Sequence, residues 1–138
     1  MENGVAGATG KTGSLAYSQL KAAGFETRAL VRNATKAQEI LHCGSCSEQD
    51  GVFLGDVTKP ETLPAAMANV TRLVIAVGAT FEVTWHGIEY PKGGFPIDID
   101  FHGAKNQIIA AGESTLLGPS VQCQCLSPLR AVAWLASV

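Results

Sequence analysis

The sequence predicts an α/β fold, a doubly wound parallel sheet of strand order 3-2-1-4 with helices on both faces, on three observations. Short apolar segments alternate with stretches of helical periodicity as far as Ala111. The first segment runs directly into a glycine-rich turn that opens a helix, Val5-Ala6-Gly7-Ala8-Thr9-Gly10-Lys11-Thr12-Gly13. The fourth, Arg72-Leu73-Val74-Ile75-Ala76-Val77-Gly78, is nearly all apolar, as a strand buried on both faces should be. The 138 residues suffice for one domain, and 46% hydrophobic against 16% charged residues supplies its core.

Each element has its own warrant. Val5-Ala6 is the visible part of a first strand, with only Met1 to Gly4 before it, so the start reads as clipped. Thr12 to Ala23 reads as a helix with Leu15, Ala16, Leu20 and Ala23 on one face and Gly24 as its stop. Phe25 to Val31 is the second strand. Ala34 to Leu41 is a short helix with Asn33 as N-cap. Cys43 to Asp50 is a polar turn region, and Gly51 to Asp56 holds the third strand and its exit. Pro60 to Asn69 is a helix with proline in its first turn. Thr80 to Pro96 is an aromatic, glycine-containing loop that precedes a last helix within Ile97 to Ala111.

After Gly112 the rhythm stops. A doubly wound sheet should continue into a fifth apolar strand, and residues 113–138 do not read as one. The expectation is therefore a domain over residues 1–112, with an incomplete C-terminal half, and an atypical tail.

The glycine turn carries the chemistry. Its spacing is G-x-x-G-x-x-G. Gly7 allows a tight turn, Gly10 lets the backbone approach a pyrophosphate, and Gly13 lets the helix pack close to the strand. Backbone N–H groups at the helix start then face the phosphates, helped by the helix dipole. An ordinary glycine-rich turn is the alternative for the pattern taken alone. Its position at the first strand-to-helix junction, with a second strand at βαβ distance, favours a dinucleotide site.

Other classes lack support. Net charge is −2 and no basic stripe with interleaved aromatics appears, so nucleic acid is not an expected partner. No run approaches the ~20 apolar residues of a membrane span. The N-terminus carries no secretory signal, so the chain reads as cytoplasmic, or plastid if a transit peptide was removed. Cys43-Gly44-Ser45-Cys46 has C-x-x-C spacing and Cys123-Gln124-Cys125 is a tighter pair. Zinc and a redox disulfide are open to them, but four unrelated loop thiols are favoured and no metal is expected.

Taken together, Val5 to Gly13, Leu30-Val31-Arg32-Asn33, Leu54-Gly55-Asp56-Val57 and Ile75-Ala76-Val77-Gly78-Ala79 resemble the atypical short-chain dehydrogenase/reductases, nearest the NmrA-like NAD(P)-binding branch. Tyr90-Pro91-Lys92-Gly93 and Asp98 to Ile108 are similar to a plant and algal subgroup. The resemblance implies a Rossmann-type domain whose phosphate loop is Gly7, Ala8, Thr9, Gly10, Lys11, Thr12 and Gly13. It places Asp56 and Val57 beside the adenine, and Ala76, Val77 and Gly78 under the coenzyme.

Arg32 matches the position where NAD-preferring members place an acid. A guanidinium there pairs with a 2′-phosphate, which favours NADP(H) over NAD(H). The bland alternatives are a solvated strand-end charge at Arg32, a turn cap at Asp56, an ordinary strand-end glycine at Gly78 and a solvent-facing Lys11.

The resemblance implies reduction of a small carbonyl or enone substrate in the complete protein. The alternative is a non-catalytic NADP(H)-binding module that docks on a protein partner through an unfinished sheet edge. No catalytic residue is assigned. Tyr17 and Lys21 have Tyr-x-x-x-Lys spacing but follow the phosphate loop, the wrong place in this fold. Tyr90, with Lys92 nearby, sits in the aromatic loop with Trp85 and His86, and Lys105 and Asn106 are explained equally by packing.

Overall fold

A computed structural model describes residues 2–114 and 120–123. A parallel sheet is built from β1 (Glu2–Ala6), β2 (Glu26–Val31), β3 (Val52–Leu54) and β4 (Val70–Ile75), in the order β3-β2-β1-β4. Helix α1 (Lys11–Ala22) follows β1, α2 (Ala34–Leu41) follows β2, and the short α3 (Pro64–Met67) follows a single 3-10 turn over Pro60–Thr62. An antiparallel hairpin of β5 (Glu82–Thr84) and β6 (Gly87–Glu89) interrupts the loop after β4. A π-helical stretch, Ile97–Gly103, then leads into α4 (Ala104–Ser114).

Alternation along the strands divides the core between the two faces of the sheet. Val5, Ala29, Val31 and Val52 face one way and pack with Tyr17 of α1 and Ala37 of α2. Ala6, Leu30, Phe53, Leu73 and Ile75 face the other and pack with Leu63, Met67, Ala110 and Ala111. Neighbouring residues of one strand thus serve opposite layers, which is why these strands read as unbroken apolar runs.

Three boundaries differ from the sequence reading. β1 begins at Glu2, although Glu2-Asn3-Gly4 has little strand propensity. It is paired on both sides, Asn3 with Thr27 and with Arg72, and the Glu2 carboxylate sits 2.7 Å from Arg28 Nε. Tertiary pairing overrides local preference there. β4 lies earlier than expected, so Ala76, Val77 and Gly78 fall beyond it, the amide of Ala76 still donating to Ala6 O at 3.0 Å. The Pro60–Asn69 segment is broken because Pro64 supplies no N–H to the turn before it.

The fourth difference is larger. Ser120–Cys123 forms β7, parallel to β4, with Arg72 opposite Ser120 and Ile75 opposite Cys123. The missing fifth strand is therefore a misreading. Ser120-Val121-Gln122-Cys123 holds no apolar run, and backbone pairing defines it. The β4 edge expected to stand open is covered along these four residues. The rest of the tail, residues 124–138 with Cys125, lies outside the described residues.

Candidate dinucleotide-binding site

Gly7 leaves β1 with φ +75°, a left-handed backbone that glycine accepts freely. Its amide donates to Leu30 O at 3.2 Å, and its carbonyl accepts from Gly10 N at 2.8 Å, closing a tight turn. A Cβ on Gly7 would lie 2.6 Å from Ala76 O. Gly10 is the N-cap of α1, with no side-chain cap and no acid in the first turn. The N–H groups of that turn therefore have neither an intrahelical acceptor nor a compensating charge.

The three glycines do different work. A Cβ on Gly13 would run into Gly7 O and stand 2.7 Å from Gly7 C, so glycine there is demanded by packing of α1 against its own loop. A Cβ on Gly10 would meet only Gly7 O, at 3.2 Å, with Ala76 O at 3.9 Å. The fold makes little demand for glycine at 10. The open side of that position faces a cleft.

The cleft, about 260 Å³, lies where β1 separates from β2 and β4, at the carboxyl ends of the strands. Gly7, Thr9, Gly10, Arg32, Val57, Ala76, Val77 and Gly78 line it, together with Leu30, Val31, Lys36, Gly55, Thr80, Pro91, Gly94 and Ile99. Five residues expected in the phosphate loop and adenine site are not in its lining. Ala8 is buried in the core, Gly13 is buried beneath Gly7, Lys11 is exposed at the helix start, and Thr12 is half-buried in that first turn. Asp56 makes a local cap, Oδ1 accepting from Thr58 N at 2.9 Å and from the Thr58 hydroxyl at 2.7 Å.

Partial burial pushes the Asp56 carboxyl up. Hydrogen bonds from the Thr58 amide and hydroxyl, with the charges of Arg32 and Lys59, outweigh that and hold it below the ordinary carboxylate value. A folded-state pKa below the unfolded one stabilises the fold above the unfolded value and stops doing so as pH falls through the folded one. Stability is thus expected to drop as pH falls below about 4, with a shallower fall in Asp56→Asn; melting temperatures from pH 7 to pH 3 check this. Equal slopes would show that Asp56 takes no part.

Lys36 was missed by sequence reasoning. Asn33 Oδ1 accepts from Lys36 N at 3.0 Å, so Asn33 caps α2 and Lys36 stands in the first turn, lining the cleft with Arg32. A cation in the first turn opposes the helix dipole. Lys11 does the same in α1, and neither helix has an acid in its first turn. Two lysines placed against their own helix dipoles were the signal that could have drawn attention to Lys36.

The exit of β4 is held from the far side. Asp100 Oδ1 accepts from Ala79 N at 3.0 Å, and Asn106 Nδ2 donates to Val57 O at 3.0 Å. Asn106 thus braces the loop that carries Val57. The tyrosines sit elsewhere. Tyr17 is buried in the α1 layer, and burial, with the charge of Asp50, pushes its phenol above the ordinary value. Lys21 Nζ lies 5.7 Å from the centroid of that ring. Tyr90 packs between Phe81 and Phe95, at 6.2 and 5.9 Å between centroids. Trp85 and His86 form the turn of the β5–β6 hairpin, Trp85 being 90% exposed.

The four thiols are not unrelated, as the sequence reading favoured. Cys43 and Cys46 form a disulfide in the loop after α2. Among the described residues no group of three or more His, Cys, Asp or Glu is placed to hold a metal ion. Among them, too, no helix is long and apolar enough to cross a membrane.

A parallel sheet with a glycine turn, an uncapped helix N-terminus and a cleft at the topological switch point defines a Rossmann-type dinucleotide-binding domain. The chain belongs to the NAD(P)H-binding family, which matches residues 7–115, and to its NmrA-like, atypical short-chain dehydrogenase/reductase branch. It is 30% identical over 135 residues to sanguinarine reductase of Eschscholzia californica, covering 78% of this chain and 47% of that protein. It is 32% identical over 123 residues to Protein TIC 62, chloroplastic, of Pisum sativum, covering 78% of this chain and 21% of that protein.

Among solved structures, gox2253 matches with TM-score 0.58 and 26% identity over 81% of this chain and 31% of that one. A short-chain dehydrogenase/reductase superfamily protein from Agrobacterium tumefaciens, with bound NAD, matches in fold with TM-score 0.57 and 16% identity over 83% of this chain and 30% of that one. The chain spans less than half the length of these relatives. It is an NAD(P)H-binding domain.

Proposed function

We propose that the domain binds NADP(H) in preference to NAD(H) and, as part of a complete protein, reduces a small carbonyl or enone. The pairing of Arg32 with Lys36 at the cleft carries this reading. A cation just after β2 and another in the first turn of α2 suit a ribose 2′-phosphate, where an acid would suit a free 2′-hydroxyl. Gly7, Thr9 and Gly10 would hold the diphosphate at the start of α1, and Val57 the adenine. Ala76, Val77 and Gly78 would run beneath the nicotinamide, braced by Asp100. Bound there, the coenzyme would supply hydride; the residues of this chain bind it, orient it and exclude water on one side. The name of the Eschscholzia californica relative supports a reductase.

NADPH should raise the melting temperature several degrees more than NADH at equal concentration. No protection by either coenzyme would end the proposal.

A second reading, coenzyme binding without turnover, draws on the tyrosines. Tyr17 is buried with a raised pKa, and Tyr90 is clamped between two phenylalanines. Oxidation of NADPH against a panel of carbonyl compounds, with Gly10→Asp as the blank, separates the readings. The chloroplast names of two relatives support a plastid compartment, which a fluorescent fusion of the complete protein would test.

A further inference from the structure

We propose that Cys43 and Cys46 are a redox modification site, and that closing or opening their disulfide sets how firmly α2 holds Lys36, and Arg32 just ahead of its cap, at the cleft. The coupling to coenzyme rests on the reading above; the redox site does not.

The disulfide lies just past the C-terminal end of α2, whereas Lys36 stands in its first turn and Arg32 precedes its N-cap. α2 has eight residues, too few to be stable without support at its ends. Asn33 caps its start. At its far end His42 and Cys46 hold left-handed backbone, with φ 51° and 49°. Non-glycine residues keep that conformation only where their surroundings impose it. The covalent link starts at Cys43, the residue after His42, and ends on Cys46.

The link is also part of the core. Cys46 is 5% exposed and belongs to the same packed cluster as Ala37, the residue after Lys36, and Val31, the residue before Arg32. Cys43 and Leu41 pack against that cluster. Ser45, inside the bridged loop, and Ser47, just after it, are anchored independently. Asp50 Oδ2 accepts from Ser45 N at 3.1 Å, from the Ser45 hydroxyl at 2.8 Å and from Ser47 N at 3.3 Å. Opening the disulfide therefore frees the stretch between Leu41 and Ser45 and leaves the rest in place. What loosens is the C-terminal support of α2.

Access comes through a surface cavity of about 350 Å³ lined by Tyr17, Lys21, His42, Cys43 and Asp50 among others. An external dithiol is the partner the chemistry requires. Its thiolate attacks Cys43 Sγ, the S–S bond breaks, and the electron pair leaves on Cys46 Sγ, which takes up a proton. The second thiol of the partner, as thiolate, then displaces Cys43 from the mixed disulfide. Two electrons and two protons have passed to the protein, and the partner leaves as a disulfide. Reoxidation by a disulfide of matching potential reverses each step.

The test uses the full chain and dithiothreitol. Alkylation followed by peptide mass mapping reports the state of Cys43 and Cys46. Amide exchange over residues 34–41 reports the order of α2, and calorimetry reports NADPH affinity. Reduction is expected to speed exchange in α2 while β1 and β4 stay protected, and to weaken NADPH at least 5-fold. Cys43→Ser should match the reduced protein with or without dithiothreitol. The wild-type comparison stands without the variant should Cys43→Ser fold poorly.

Cys43 and Cys46 found as free thiols in air-oxidised protein, or α2 exchange unchanged after full reduction, would overturn the redox site. Faster α2 exchange with equal NADPH affinity in both forms would overturn the coupling. Faster exchange with no NADPH binding in either form would overturn the coenzyme reading and keep the redox site.

Discussion

Gly10→Ala is expected to give a folded protein that has lost its hold on a dinucleotide, whereas Gly13→Ala is expected to lose the fold first. The contrast follows from what each added methyl meets. At position 10 the Cβ touches one carbonyl oxygen, at 3.2 Å, and a shift of a few tenths of an ångström relieves it. Alanine is a poorer N-cap than glycine, by about 1 kcal/mol, so melting should fall by only roughly 3–5 °C. The methyl then stands where a diphosphate must approach the N–H groups of α1. NADPH affinity should fall about 100-fold, equivalent to about 2.7 kcal/mol.

At position 13 the Cβ drives into the carbonyl of Gly7, a residue whose amide donates to Leu30 O and whose carbonyl accepts from Gly10 N. Neither backbone can move without opening β1, so a loss of about 2–4 kcal/mol and roughly 10 °C is expected. Scanning calorimetry and NADPH titration of the two variants check both. A Gly10→Ala protein that binds normally, or melts as low as Gly13→Ala, would refute the division of labour.

Much of this site was legible because its physics is local. The glycine turn, the strand-end arginine and the Asn33 cap each act within a few residues, so α2 from Ala34 to Leu41 and its cap coincide with the sequence reading. Elements held by distant partners were less legible. Glu2 to Gly4 are strand only because β2 and β4 flank them, and Ser120 to Cys123 only because β4 offers an edge. The loop after β4 became a hairpin with Trp85-His86 at its turn, where no Asn-Gly or Asp-Gly pair announced one. Asp56, between the cleft residues Gly55 and Val57 in sequence, matched a family pattern, and its side chain also bonds Thr58. Lys36 was missed. Read as a solvated helix charge it means nothing; read against the dipole of its own helix it calls for an anion.

That anion is the subject of the second large effect. Arg32→Glu should weaken NADPH about 100-fold and leave NADH within about 3-fold, inverting the preference. The loss combines a removed charge-assisted hydrogen bond with a carboxylate set against a phosphate. The retained NADH affinity reflects a new acceptor for the ribose 2′-hydroxyl. Lys36→Ala should act in the same direction but about 10-fold, since a lysine contributes a point charge and not a bidentate fork. Salt should shrink the wild-type preference, because both cations are exposed and screened. Removing Arg32 also withdraws a charge that holds down the carboxyl of Asp56, so the fall of stability with acid should be shallower in Arg32→Glu than in the wild type. Coenzyme recognition and acid stability would then be linked through one guanidinium. Calorimetric titrations with both coenzymes, run beside melting curves across pH, read the two effects separately. Equal weakening of NADPH and NADH by Arg32→Glu would mean that Arg32 supports the cleft without reading the 2′ position.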